Sequence, residues 1–321
     1  MRPKKHTMRI RLVTYKGYAG HVAQDTVNEF QQVIIEDGVE IEATANPTRV
    51  VSQALLRLIP RRLRSLSFYR RKGIKKFCII IGHEFQKCLV PFLYNADNSI
   101  YIFDAWPAYQ DRIENFLRVT RVRNAFFSSR YATELFAGKG LDCKMTWVPE
   151  AISAANYRFE DYARKDISVL AFGRRYDAYH EKIVGRLEEE QVSYLYEKVK
   201  KEIVFPTRED FVDGLARTKI SICVPSSITH PEKAGKISTM TIRYLQSMAS
   251  KCLIVGYMPE EMKELFDYTP IIEIDDNDPA GQLIGILQNF DDYIPLIEKN
   301  YAYIREHHTW ESRWRTIRAI L

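Results

Sequence analysis

Two short apolar runs, 76–81 (KFCIII) and 99–103 (SIYIF), constrain this chain most. A strand that is apolar at nearly every position, rather than every second one, has both faces covered. That is the situation of a parallel strand between two layers of helices. Each run is followed by a turn and then by residues with helical spacing, so the unit is strand, turn, helix.

The unit recurs along the chain. Strand 8–15 (MRIRLVTY) leads through a glycine-containing turn, 16–21, into a helix over 22–36 with Val22, Val27, Phe30 and Ile34 on one face. A strand over 39–44 follows, and Pro47 opens a helix that runs to 58, in a first-turn position where proline is tolerated. Next come helix 107–119, strand 124–128, helix 130–137 and strand 144–148. Residues 150–165 have no clear period and read as a connection. A second series then begins: strand 167–172, turn 173–175, helix 178–190, helix 208–217 and strand 219–224. It continues with a polar loop over 225–236, helix 241–249, strand 252–255, helix 259–266 and strand 270–274. Helices over 280–290, 293–307 and 310–321 close it. Strands alternating with helices predict an α/β fold with parallel sheets and right-handed crossovers. Two such series predict two Rossmann-like domains facing across a cleft, 1–155 and 156–321, with the last helix, 310–321, able to pack back on the first.

The length of 321 residues agrees with two domains. Charged residues at 27% and hydrophobic ones at 46% exclude a disordered chain, a coiled coil and a collagen. No apolar run approaches the roughly 20 residues that span a bilayer. No apolar signal segment follows the first five residues, so the expected location is cytoplasmic. The five cysteines are scattered and show no CxxC pair, which fits reduced thiols better than a disulfide framework or a zinc site.

The net charge of +6 is unevenly spread. Residues 1–150 carry 24 Lys/Arg against 14 Asp/Glu, a net +10; residues 151–321 carry 23 against 27, a net −4. From 43 to 83 there is no acidic residue, while Arg49, Arg57, Arg61, Arg62, Arg64, Arg70, Arg71, Lys72, Lys75 and Lys76 are all basic. Apolar residues such as Val50, Val51, Leu55, Leu58 and Leu66 interleave with them. The stretch 49–76 has the composition of a surface that rests on anionic lipid headgroups without crossing the membrane. A solvated basic helix pair over an ordinary core is the other reading.

Ligands of open α/β sheets bind beyond the carboxyl ends of strands, so the residues there are the candidates for a site. Gly173-Arg174-Arg175 sits between a strand and a helix, where a tight turn, a helix N-terminus and guanidinium groups suit a diphosphate; a solvated surface turn has the same pattern. The loop 225–236 and the run Ile237–Thr241 offer hydroxyls, amides and Lys236 before a helix, the chemistry of a phosphate cradle or of a capped loop. His83, Glu84 and Asp104 follow the two apolar strands and suit acid–base work, or capping. His21 in the first turn has the same two readings, and the remaining histidines are not spaced as metal ligands. Asp275-Asp276-Asn277-Asp278 reads as a turn and N-cap before Pro279 rather than as a chelator. There is no GxxxxGK[ST], GxSxG or GxGxxG pattern.

Four segments, in order, resemble nucleotide-sugar glycosyltransferases of the two-Rossmann glycosyltransferase-B fold, group 1 or family 4-like. Residues 241–256 (TIRYLQSMASKCLIVG) resemble the family's R-x-[FL]-E-[AS]-[LM]-A-[SC]-G segment, through Arg243, Leu245, Gln246, Ser247, Met248, Ala249 and Ser250. Residues 125–132 (AFFSSRYA) with Trp147-Val148-Pro149-Glu150 resemble the end of the family's first domain. Residues 170–175 (LAFGRR) resemble the opening of its donor domain, and His308-Thr309-Trp310 with Arg313 its C-terminal helix. The resemblance covers roughly 120–321. It departs at two positions: the family's second glutamate is Gln246 here, and the position eight residues earlier is Ser238. Lys251 stands where the family has glycine.

The resemblance implies a metal-independent transferase with no cofactor beyond its nucleoside-diphosphate-sugar donor. Arg174 or Arg175 would contact the diphosphate, with Lys182 as a second cation. Gly173, Ser238, Thr239, Met240 and Lys236 would line the phosphates, Gln246 would face the ribose, and His83, Glu84 or Asp104 would lie on the acceptor side. The implied acceptor is a glycan or glycolipid of surface polysaccharide assembly, with retention of configuration. The lost glutamate leaves a second reading open, an inactive glycosyltransferase-like partner or chaperone subunit. Nucleic-acid binding through the basic stretch is a third, opposed by the acidic second half and the lack of a recognised module.

Overall fold

The computed structural model describes residues 9–15, 24–45, 48–58, 71–173, 175–199 and 204–321. The turn 16–21 with His21, Val22, Pro47, the basic segment 59–70 and Arg174 lie outside them.

Six parallel strands form the first sheet: β1 (Arg9–Tyr15), β2 (Glu40–Thr44), β3 (Arg71–Ile81), β4 (Asn95–Phe103), β5 (Val122–Phe127) and β6 (Lys144–Trp147). Their order is β2-β1-β3-β4-β5-β6. Phe77, Cys78, Ile79 and Ile80 of β3 and Tyr101, Ile100 and Ile102 of β4 are all essentially unexposed, because both faces are covered. One face carries α2 (Arg49–Leu58), α3 (Leu89–Leu93), α4 (Gln110–Thr120) and α5 (Arg130–Ala137). The other carries α1 (Asp25–Glu36).

The second sheet has five parallel strands, β7 (Ile167–Ala171), β8 (Tyr194–Tyr196), β9 (Thr218–Cys223), β10 (Leu253–Gly256) and β11 (Ile272–Glu273), in the order β11-β10-β9-β7-β8. Around it lie α6 (Asp177–Glu189), α7 (Arg208–Ala216), α8 (Ser226–Thr229), α9 (Pro231–Ala234), α10 (Ile242–Ala249), α11 (Met262–Leu265), α12 (Pro279–Gln288) and α13 (Ile294–His307). The acidic run is a turn and cap, as its composition suggested: Asp278 Oδ1 accepts from Gly281 N at 3.0 Å and Pro279 follows as the first helical residue.

The structure corrects the sequence reading in five segments. The stretch 225–236 is not an open loop but the short helices α8 and α9. The edge strand β8 (YLY) is too short for a periodic signal, and α3 contains Pro91, which hid it. The helix expected over 259–266 shrinks to α11, and the strand expected over 270–274 to β11. At Lys251 φ is +50°, the left-handed step that ends α10, which is where a glycine is the natural residue.

The last helix, α14 (Trp310–Ile320), crosses back to the first sheet. Trp310 stacks on Phe30 of α1 with ring centroids 4.5 Å apart, and Trp314 and Ile317 join Leu12, Phe77 and Phe126 in the same core. The connection 148–152 runs beside residues 308–313: Ile152 N donates to His308 O at 3.0 Å and Arg313 Nε to Pro149 O at 3.0 Å.

Candidate functional site: the cleft between the two sheets

The carboxyl ends of the two sheets meet. From the first domain, β4 ends in Asp104, Ala105 and Trp106, and β5 in Ser128 and Ser129. Asp104 has φ +48°, a left-handed conformation that a non-glycine residue adopts only where its surroundings impose it. From the second domain come the segment after β9 and the start of α10. Asp104, Trp106, Ser128 and Ser129 line one small pocket together with Ser226, Thr239 and Thr241. Among the described residues, the buried Thr241 hydroxyl has no hydrogen-bond partner.

The segment 226–237 bridges the cleft. Ala234 and Ile237 are buried among Ala105, Trp106 and the rest of the first domain's core, and the ring of Pro107 lies 3.4 Å from where a Cβ on Gly235 would be. A carboxylate from the second domain latches onto the first: Glu261 Oε1 accepts from Ser129 Oγ at 2.7 Å and from Arg130 N at 2.8 Å, capping α5. Burial raises its pKa to about 7 against these hydrogen bonds. Arg208 of α7 ties the domains again, bonding Asp25 and, at 3.0 Å, Glu29 of α1, with Tyr157 beside it.

Two further residues build the site, and the sequence pattern alone assigns neither a role. The first is Arg243. Its Nη2 donates to Val224 O at 3.0 Å, just past β9, and its Nη1 lies 3.5 Å from Phe172 O, just past β7. Its Cδ would lie 3.3 Å from a Cβ on Gly173, whose φ of +75° also excludes most side chains. A guanidinium thus sits at the end of the two central strands. The second is Glu150, whose Oε2 accepts from Ile242 N, the first amide of α10, at 2.7 Å. It occupies the seat that an anion takes at a helix N-terminus. Burial first, and then Asp104, hold the Glu150 pKa well above the usual carboxylate range, and Arg243 opposes them. A linker carboxylate and a first-turn arginine are weak signals alone; only the fold brings them together.

The residues expected at the site are distributed more widely. Arg175 is bonded to Asp177 Oδ1 and Glu197 O, each at 2.8 Å, and lies over the Tyr196 ring. It walls a second pocket with Tyr176, Tyr179, Tyr194 and Val224; among the described residues the buried Tyr179 hydroxyl has no hydrogen-bond partner. Lys182 lies on an exposed face of α6, beside Asp276. Lys236 is exposed. Ser238 Oγ accepts from Glu260 N at 3.1 Å, and the Met240 side chain is core. Gln246 is buried and donates to Tyr157 Oη at 3.0 Å, so its amide joins the cross-domain network around Arg208. His83 is buried away from this pocket, and Glu84 pairs with Lys87 at 2.8 Å. Of the three acceptor-side candidates, Asp104 alone lines the pocket.

The sequence matches no protein-family model and none of the curated proteins. Solved structures do resemble it along nearly its whole length. Anabaena Alr3699/HepE, in complex with UDP and glucose, superposes with a TM-score of 0.58 at 10% identity, covering 98% of this chain and 99% of that one. Sucrose-phosphate synthase from Thermosynechococcus elongatus gives 0.53 at 10% identity, covering 98% and 100%. S. aureus TarM gives 0.52 at 11% identity, over 75% of this chain and 54% of that one. The fold is the glycosyltransferase-B fold. In glycosyltransferase-B terms, the pocket at Asp104 and Thr241 lies between the two Rossmann-like domains, and Arg243 stands at the strand ends of the second.

Proposed function

We propose that this protein transfers a sugar from a nucleoside-diphosphate donor to a hydroxyl of a glycan or lipid-linked acceptor, in the cleft between its domains. One observation carries the reading: Arg243, held by two strand-end carbonyls, lies beside Gly173 and the N-terminus of α10, where a diphosphate would find a cation next to the helix amide that Glu150 now holds. In this reading Arg243 and the α10 terminus stabilise the charge that develops on the departing nucleoside diphosphate. Glu150 yields its amide to the phosphate when the donor enters. Asp104 and the neighbouring serines orient the acceptor hydroxyl. The aromatic pocket around Tyr176 and Tyr179 takes the nucleoside end, because Phe172 and Val224 belong to that pocket and to the Arg243 contacts alike. Retention of configuration and surface polysaccharide assembly follow from the family resemblance and join the proposal on that footing.

Among the described residues no helix is long and apolar enough to cross a membrane. Peripheral contact is proposed through α2, whose Val50 and Leu58 are 77% and 75% exposed beside Arg49 and Arg57.

The test is donor binding by calorimetry with UDP, ADP and GDP and their sugars. Arg243→Gln is expected to weaken binding of the preferred nucleotide at least about tenfold, as loss of a charge-assisted pair to phosphate does. Equal affinity in the variant would remove the assignment. The inactive-partner reading rests on Gln246 being spent on Tyr157 and on the bridging of the cleft by 226–237. Absence of stabilisation by every nucleotide tried would favour it.

A further inference from the structure

At the end of β3 two arginines converge on one histidine. Arg49, the first residue of α2, and Arg112, in the first turn of α4, both direct a guanidinium nitrogen at Nε2 of His83, Arg112 at 3.0 Å. The imidazole is 5% exposed and packs on Tyr109 with ring centroids 4.2 Å apart. Burial, then Arg49, then Arg112 lower its pKa to about 4, so at neutral pH it carries no charge and serves the guanidiniums as an acceptor.

Neither Arg49 nor Arg112 forms an ion pair with a carboxylate among the described residues. Glu84, next to His83 in the chain, is committed to Lys87. Arg118, two turns further along α4, shows the ordinary outcome: it is paired with Glu114 at 3.0 Å. Two cations drawn to a single neutral nitrogen repel each other, and a bound anion removes that cost. Two guanidinium forks around a buried nitrogen fit a tetrahedral oxyanion with several acceptor oxygens, and suit a planar or monatomic anion less well.

The position says which anion matters. Tyr109 stacks on Trp106, centroids 5.9 Å apart, and Trp106 lines the cleft pocket with Asp104. One aromatic pair therefore separates the arginines from the place of the acceptor hydroxyl, on the first domain and away from Arg243. Beside them, α2 turns Val50 and Val51 outward.

We propose that Arg49, His83 and Arg112 form a phosphate-binding subsite that holds the phosphate group of a phosphorylated acceptor while its hydroxyl lies at Asp104. The acceptor role rests on the transfer reading given above, but the binding of phosphate does not.

The experiment uses the full chain with two probes: phenyl phosphate in calorimetry, and phosphatidylcholine vesicles with and without phosphatidic acid in sedimentation. Arg49→Gln and Arg112→Gln are each expected to weaken phenyl phosphate binding about tenfold, and the double variant to abolish it. Arg112→Lys, which keeps the charge and loses the fork, should fall between. Arg118→Gln should bind as the parent does. Arg112-dependent sedimentation with phosphatidic acid would assign a lipid phosphate; calorimetric binding without it would assign a soluble phosphorylated glycan. Absence of binding to both probes, or undiminished binding by Arg49→Gln and Arg112→Gln at unchanged melting temperature, would overturn the proposal. Failure of every nucleotide to bind would strike the donor assignment and leave this measurement standing.

Discussion

The two faces of the first sheet are covered in different ways. On one face α14, carried in from the far end of the chain, buries Trp310, Trp314 and Ile317 against α1 and the strands. On the other, α2 buries only Ser52 and Leu56 and leaves Val50, Val51, Leu55 and Leu58 exposed. Both helices are amphipathic, yet among the described residues only α14 finds a partner for its whole apolar side. The difference teaches that burial of a helix is decided by what reaches it, not by its own pattern. A full cover supports the fold. A half-covered helix is free for another partner, and here it carries Arg49, which reaches His83.

Three outcomes would sharpen or break this contrast. Trp310→Ala should cost about 3–5 kcal/mol in urea unfolding, since it empties the stack with Phe30 and the edge contacts to Tyr101 and Phe103. A loss below 1 kcal/mol would mean that α14 is not a structural cover. His308, at the entry to α14, comes next. Burial, then Arg313, hold its pKa down to about 3, so the folded state keeps it neutral while the unfolded chain takes up a proton near pH 6.5. The unfolded state binds more protons in that window, so stability falls as pH falls. Between pH 6.5 and 5 the loss from this residue is about 2 kcal/mol. Melting curves of His308→Asn should lack that part of the slope; a parallel slope would refute the assignment. The smallest effect belongs to α2. Val50→Ser with Leu58→Ser should change stability by no more than about 0.5 kcal/mol, because both side chains are already in water. The pair should still lower sedimentation with anionic vesicles, and sedimentation equal to the parent's would end the membrane proposal.

The strand runs KFCIII and SIYIF were enough to place β3 and β4 at the centre of a parallel sheet, because a doubly covered strand leaves no room for alternation. Strand β8 and helix α3 were not legible. Three residues carry no period, and Pro91 conceals a short helix. At the site, the sequence offered Asp104 together with His83 and Glu84, all just past central strands, and only the fold set Asp104 at the pocket and the other two away from it. Arg175 could not be assigned, since whether its guanidinium meets a ligand or Asp177 depends on a side chain two residues away.

By itself, then, the sequence determined what periodicity and strand burial determine: parallel strands alternating with helices in two series, and the excess positive charge of the first half. Tertiary structure alone decided the rest. It brought Glu150 to the amide of Ile242, Glu261 to the cap of α5, Arg243 between Phe172 and Val224, and two arginines to His83. Each of these joins residues on different elements. A carboxylate or guanidinium acquires its role from the charges, donors and burial around it, and those are fixed only when the sheets meet.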